Sequence, residues 1–389
     1  MLILILVVVT AVCFDFTNGF HDTANAVATS IATGALKPRV AVAMSAVLNL
    51  VGAFVSIKVA ATIAKGIVDP TALKGNDGLS LVFAALIGAI IWNLITWYFT
   101  LPSSSSHALI GGVIGAALVA SGSKSVMFHG IAKSVIAPAI LSPIICFLVA
   151  VAGTYVVYRL IRLIRPAEAR RGYRYGQIGS AALVSLAHGT NDAQKTMGVI
   201  TLALIAHGSI SATHFYVPFW VKLVCALAIA SGTMIGGWRI INTMGNRLTE
   251  IESPQGFAAE AASAAVILSS SFYGYPLSTT HVVSGGVMGA GAGKKLESVH
   301  WGVAGQMATA WLFTIPAAGA MGAAAWEIAR IFGANSGAGT IVMAILAAAA
   351  AAGLFTLAQR NKVGANDLDR THISPEGEAE AGAPAAAAV

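Results

Sequence analysis

Apolar runs about as long as a bilayer is thick fill almost the whole chain, broken by short polar or Gly/Pro-rich stretches. They fall near 1–36, 40–63, 79–100, 103–121 and 135–160, and again near 176–206, 217–236, 257–275, 277–292, 300–325 and 339–358. The pattern predicts an all-α polytopic membrane protein with about 10–12 transmembrane segments. The run at 277–292 is short and that at 1–36 is too long for one straight crossing. Broken or re-entrant helices are therefore expected. The N-terminal run has neither a basic leader nor a small-residue cleavage site before Asp15, and reads as a first transmembrane helix rather than a removed signal. From 359 to 389 the chain is polar, then rich in Ala, Gly, Glu and Pro, which predicts a disordered cytoplasmic tail.

Composition sharpens this picture. Only 10% of residues are charged, against about 25% in a soluble domain. The net charge of +7 does not point to nucleic acid, because the basic residues lie between apolar runs. Arg159, Arg162, Arg165, Arg170, Arg171 and Arg174 make 159–175 a basic loop, cytoplasmic by the positive-inside rule. That loop divides a first repeat, 1–158, from a second, 176–358. Five crossings before it place the start of the first repeat outside and that of the second inside, so the repeats are expected to be inverted. Cys13, Cys146 and Cys225 lie singly in apolar runs with no metal-binding spacing, and read as small hydrophobes.

The repeats are visible in two duplicated polar motifs. Asn18-Gly-Phe-His-Asp22-Thr-Ala-Asn25 is matched by His188-Gly-Thr-Asn191-Asp192-Ala-Gln194-Lys195. Pro102 followed by Ser103, Ser104, Ser105, Ser106 and His107 is matched by Pro276, Leu277, Ser278, Thr279, Thr280 and His281. His107 and His281 are 174 positions apart, as are Gly112 and Gly286, while Asp22 and Asp192 are 170 apart.

An ionisable residue in the bilayer costs at least about 2.5 kcal/mol, so it marks a function or an internal partner. Asn18 and Asn25 lie within one turn of Asp22 and share its face. Asn191, Gln194 and Lys195 stand likewise around Asp192. Gly19 permits a break that frees backbone groups for a ligand. The Pro-Ser/Thr segments read as helix starts, where hydroxyls and free N–H groups make an anion site. The Gly pairs after them suit close helix packing. His107 and His281 are candidates for proton coupling or capping. A Ser/His hydrolase is disfavoured, because nucleophilic catalysis needs one activated nucleophile rather than two in opposed repeats. Glu260, inside an apolar run, calls for a cation or a proton.

These motifs, with Gly236-Gly-Trp-Arg239 and Gln255-Gly-Phe257, resemble the PiT family of inorganic phosphate transporters over nearly the whole chain. The resemblance implies secondary active import of inorganic phosphate, coupled to H+ or Na+, with no cofactor, no resident metal and no enzymatic activity. It implies a multi-pass protein of the cell membrane, with lipid and the coupling cation as its other partners. By matching position, Asp22, Asn25, Asp192, Ser103–Ser106 and Ser278–Thr280 inherit substrate- or ion-binding roles. A carboxylate beside phosphate accepts a hydrogen bond from a P–OH, which sulfate lacks near neutral pH. Two departures separate this chain from sodium-coupled members: Asn49 stands where a carboxylate is common, and Lys195 where Asn is common. An ammonium there supplies charge that sodium supplies elsewhere, so proton coupling is favoured, with a metal–phosphate complex as a form of the substrate. A sulfate permease on the same scaffold and an anion channel are the alternatives.

Overall fold

The computed structural model describes residues 1–69, 75–163, 165–211, 213–333, 337–361 and 363–369. Among them regular structure is helical, with two isolated β-bridges. In chain order the helices are α1 (Leu2–Ala32), α2 (Pro38–Gly52), α3 (Lys58–Gly66), α4 (Gly75–Tyr98), α5 (Ser105–Ser121) and α6 (Phe128–Ile161). Then come α7 (Pro166–His207), α8 (Phe219–Ile235), α9 (Trp238–Arg247), α10 (Ser253–Tyr273), α11 (Thr279–Lys294), α12 (Trp301–Ile331) and α13 (Ala338–Ala358).

The first six elements and the next six correspond one to one. Each half has a short helix after its second, a brief helix entered from an extended Pro-Ser/Thr segment, and a last helix with an internal proline, Pro143 or Pro316. A π turn at Ala132–Ile136 follows the first turn of α6, and another at Thr243–Arg247 ends α9. The bridges match too, Val68 with Val126 and Thr249 with Val299. The equivalent helices α1 and α7 run antiparallel. Thr196 donates to Asp15 at one end (2.9 Å) and Thr33 to Gln177 at the other (2.8 Å).

The halves interlock. Helix α5 of the first packs on α12 of the second, and α11 of the second on α6 of the first. Missing Cβ atoms permit it. A Cβ on Gly115 would lie 1.9 Å from the Gly319 carbonyl oxygen, and one on Gly289 would lie 2.3 Å from that of Phe147. Dispersion and backbone approach replace the hydrophobic drive that lipid cannot supply between helices.

Five helices (α1, α4, α6, α12 and α13) are long and apolar enough to cross a bilayer, and α8 with α9, bent by 62°, makes a sixth such span. Helix α11, at 16 residues, is the short one expected from the sequence, and its counterpart α5 has 17.

Four expectations are corrected. Helix α1 runs unbroken through Gly19, whose bare Cα instead lets the Ile229 carbonyl of α8 approach; a Cβ would sit 2.3 Å from that oxygen. The run at 40–63 is two helices, because Gln194 accepts from the N–H groups of Val59 and Ala60 and so starts α3 afresh. The basic stretch 159–175 is mostly helix, the end of α6 and the start of α7, with Pro166 in the first turn of α7. The tail is ordered past 359: Leu368 is buried in a 3₁₀ turn that packs on α2. Residues 370–389 lie outside the described residues.

Candidate functional site

The two Asp motifs sit midway along α1 and α7, where the helices cross, and the starts of α5 and α11 close over them. Each short helix begins the same way. Ser104 accepts from the N–H of His107 (3.1 Å), and Ser278 from that of His281 (3.3 Å). This cap leaves the first N–H groups of both helices, at Ser105, Ser106, Thr279 and Thr280, without an intrahelical acceptor. These residues are all buried. Two positive helix ends therefore face one buried cluster.

Within the cluster, His21 Nδ1 lies 2.6 Å from Asp22 Oδ1, to which Ser105 also donates (3.1 Å). His21 is held from behind by Thr96 (3.2 Å), which takes a bond from Ser103 (2.8 Å). Asn25 donates to Thr279 (3.2 Å) and Thr280 (3.0 Å), and Thr279 donates to Asp192 Oδ2 (3.3 Å). Lys195 Nζ lies 2.7 Å from Asp192 Oδ1 and 2.6 Å from the Leu277 carbonyl, and also donates to Ser106. One ammonium thus ties α7 to the starts of both short helices. His188 Nε2 stands 3.6 Å from Asp192 Oδ2 and lacks a hydrogen-bond partner. Its other nitrogen faces Asn49 Oδ1 at 3.1 Å. Ligand atoms of Asp22, His188 and Asp192 all lie within 4.8 Å of one another, close enough to clasp a cation.

The candidates from sequence divide accordingly. Asp22, Asn25, Asp192, Lys195, Ser105, Ser106, Thr279 and Thr280 converge, with Ser103, Ser104 and Ser278 supporting them. Asn191 turns away to Ser271 (2.9 Å) and the Tyr275 carbonyl, and Gln194 to α3. Asn18 is buried with its Oδ1 unpartnered. Glu260 lies in a separate buried pocket, accepting from Thr29, from Ser180 (2.6 Å) and from Gln177 (3.5 Å). Thr29 is seven residues beyond Asp22 on α1, about 10 Å along the axis. His107 and His281 meet edge to face, 4.7 Å between ring centres, and His281 stacks on Trp311. His21, His188 and Asn49 were not singled out as binding groups in the sequence. Their positions within four residues of an Asp, or opposite one, are the signal that was there.

Helix starts from both halves closing over buried, oppositely charged side chains, inside a body of bilayer-length apolar helices, define a membrane transporter for a small anion. The profile of the phosphate transporter family matches residues 18–322. A probable low-affinity inorganic phosphate transporter of Mycobacterium tuberculosis is 57% identical over 336 residues, 86% of this chain and 80% of that one. One from Bacillus subtilis is 45% identical over 332 residues, 84% and 97% of the two chains. A solved structure described as the sodium-dependent phosphate transporter shares the fold, with a TM-score of 0.74 at 24% identity, covering 85% of this chain and all of that one. The chain belongs to the phosphate transporter family, and it is a multi-pass membrane transporter rather than an enzyme.

Proposed function

We propose that this protein imports inorganic phosphate by symport with a cation, the proton before sodium, through alternating access between two inverted repeats. The antiparallel course of α1 and α7 supports the inversion. The charge balance at the cluster carries the symport. Two carboxylates face one ammonium, so with neutral histidines the cluster has an excess negative charge. A phosphate anion added there raises the cost of burial steeply unless positive charge comes with it. Phosphate supplies part of the answer as a P–OH donor to Asp22 or Asp192, and a co-transported cation supplies the rest.

Proton coupling rests on Lys195 and Asn49. The ammonium already occupies the charge position beside Asp192, and Asn49 is neutral, engaged by Thr233 (2.9 Å) and His188. The grouping of Asp22, His188 and Asp192 also suits a divalent ion carried as cargo with phosphate. The anchoring of Lys195 supports alternating access. Releasing it from Ser106 or from Leu277 frees one short helix while the other stays closed.

The test is radiolabelled phosphate uptake into proteoliposomes with proton and sodium gradients imposed separately. Uptake driven by an inward proton gradient without sodium is the expected result. An absolute sodium requirement overturns proton coupling, and uptake of sulfate in preference to phosphate overturns the substrate.

A further inference from the structure

Asp15 is a fully buried carboxylate that the phosphate cluster does not use. It lies on α1 seven residues before Asp22, about 10 Å along the axis and on nearly the same face. Its Oδ1 accepts from Thr196 of α7 at 2.9 Å. Its Oδ2 is buried and accepts no hydrogen bond from the described residues. Asn18, one turn on and itself buried, leaves its Oδ1 unpartnered as well. Two buried acceptor oxygens from side chains one helical turn apart, neither taking a hydrogen bond of good geometry, are costly to leave so. The neighbouring element α8 brings the Cys225 side chain against this carboxylate. The polar and titratable groups acting on Asp15 are Thr196 of α7 and Asn18 of its own helix, Cys225 from α8, and Asp192 and Lys195 of α7 farther off. None of them is a close, free cation.

We propose that Asp15 and Asn18, with the hydroxyl of Thr196, form a binding site for one small monovalent cation, apart from the phosphate cluster. This rests on the symport reading above. The site is well placed to speak to the cluster. Thr196 adjoins Lys195 in sequence and lies one turn from Asp192, so a charge at Asp15 acts on the same segment of α7 that holds the two short helices. The bound ion is a proton shared between Asp15 and Asn18, or a sodium ion held by the same oxygens.

Removing such a site removes one charge from each transport cycle. An elementary charge moved across about 60 mV is worth about 1.4 kcal/mol, a factor of ten. The experiment measures steady-state phosphate accumulation in proteoliposomes as a function of an imposed inside-negative potential, for the wild type, Asp15→Asn and Asp15→Glu. The expected result for Asp15→Asn is a slope lower by one charge, an accumulation about tenfold below wild type at 60 mV, with Asp15→Glu keeping the wild-type slope. Repeating the wild-type series without sodium, at imposed pH gradients, distinguishes proton from sodium as the ion lost. An unchanged slope in Asp15→Asn overturns the site. So does a folded, monodisperse Asp15→Asn that is inactive together with Asp15→Glu, because the carboxylate then serves structure. A wild type that accumulates no phosphate under any gradient refutes the transport reading instead.

Discussion

Replacing Lys195 by methionine tests how the central cluster is held together. Lys195 and Asp192 are both buried, 2.7 Å apart, and the same ammonium bonds Ser106 and the Leu277 carbonyl. Lys195→Met keeps an unbranched side chain one atom shorter but strands the Asp192 carboxylate with only a long bond from Thr279 (3.3 Å). Breaking a buried ion pair from one side costs about 3–5 kcal/mol, because the remaining charge has lost its partner. Removing both charges is far cheaper, since a pair replaced by neutral groups of similar volume is often close to neutral. Lys195→Met with Asp192→Asn should therefore be more stable than Lys195→Met alone, by about 2 kcal/mol or more. Chemical unfolding in detergent, followed by tryptophan fluorescence, gives the four corners of the cycle. Phosphate uptake should be lost in the single and the double variant alike, because the anion loses its ammonium in the first and both the ammonium and the carboxylate in the second. The reasoning is refuted if Lys195→Met unfolds like wild type, or if the double variant loses as much as the two single losses added together.

Other outcomes follow from the same geometry. Asp22→Asn keeps an acceptor oxygen for Ser105 and His21 but removes the carboxylate's charge, and should abolish gradient-driven phosphate uptake while leaving a folded protein; uptake at wild-type rate with wild-type gradient dependence removes Asp22 from the mechanism. Gly115→Ala and Gly289→Ala should each destabilise by about 1–3 kcal/mol through clashes with backbone carbonyls, whereas Gly305→Ala, with open space around it, should cost nothing; equal unfolding of all three refutes the packing account. Partial burial pushes the Glu252 carboxyl up, but bonds from Lys294 (2.8 Å) and Tyr158 (3.0 Å) outweigh it and leave the group below its ordinary value of 4.5. Its contribution at the start of α10 is therefore complete above that value and fades as pH falls through the lowered one. Glu252→Gln should remove this part of the acid sensitivity, read as unfolding temperature against pH between about 5 and 3.

The duplicated motifs made the repeats legible, since polar residues are too costly in lipid to recur by accident at nearly constant offset. The short helices α5 and α11 were legible for the same reason: Pro, then hydroxyls, then glycine pairs mark a helix start and a close approach whatever the tertiary partners are. What glycine does inside a helix was not legible. Gly19 has the chemistry of a break and also that of a contact, and only the position of Ile229 decides between them. Gln194 was read with its motif because it adjoins Lys195, yet its amide caps α3, a partner 135 positions away. The interruption at 53–57 carries no proline, so the apolar pattern ran through it. Arg170, Arg171 and Arg174 marked a loop by charge, but charge is no obstacle to helix at an aqueous end, and α7 begins before them. Asp15 was passed over although it met the same criterion as Asp22, a carboxylate in an apolar run, and its two-turn spacing from Asp22 was readable directly.

The interlocking of the halves has a consequence for synthesis. Helix α5 finds its backbone partner at Gly319, 204 residues after Gly115. At about 5–20 residues per second, that partner leaves the ribosome roughly 10–40 s later. Throughout that interval Ser103–Ser106 and the bare glycine face of α5 belong to a chain whose closing surface does not yet exist. The nascent first half must wait, at the translocon or in the care of an insertase, until Trp301–Ile331 emerges. Neither half expressed alone has the partner it needs to bury its own short helix, so the two supplied as separate polypeptides must find each other in the bilayer before either can mature.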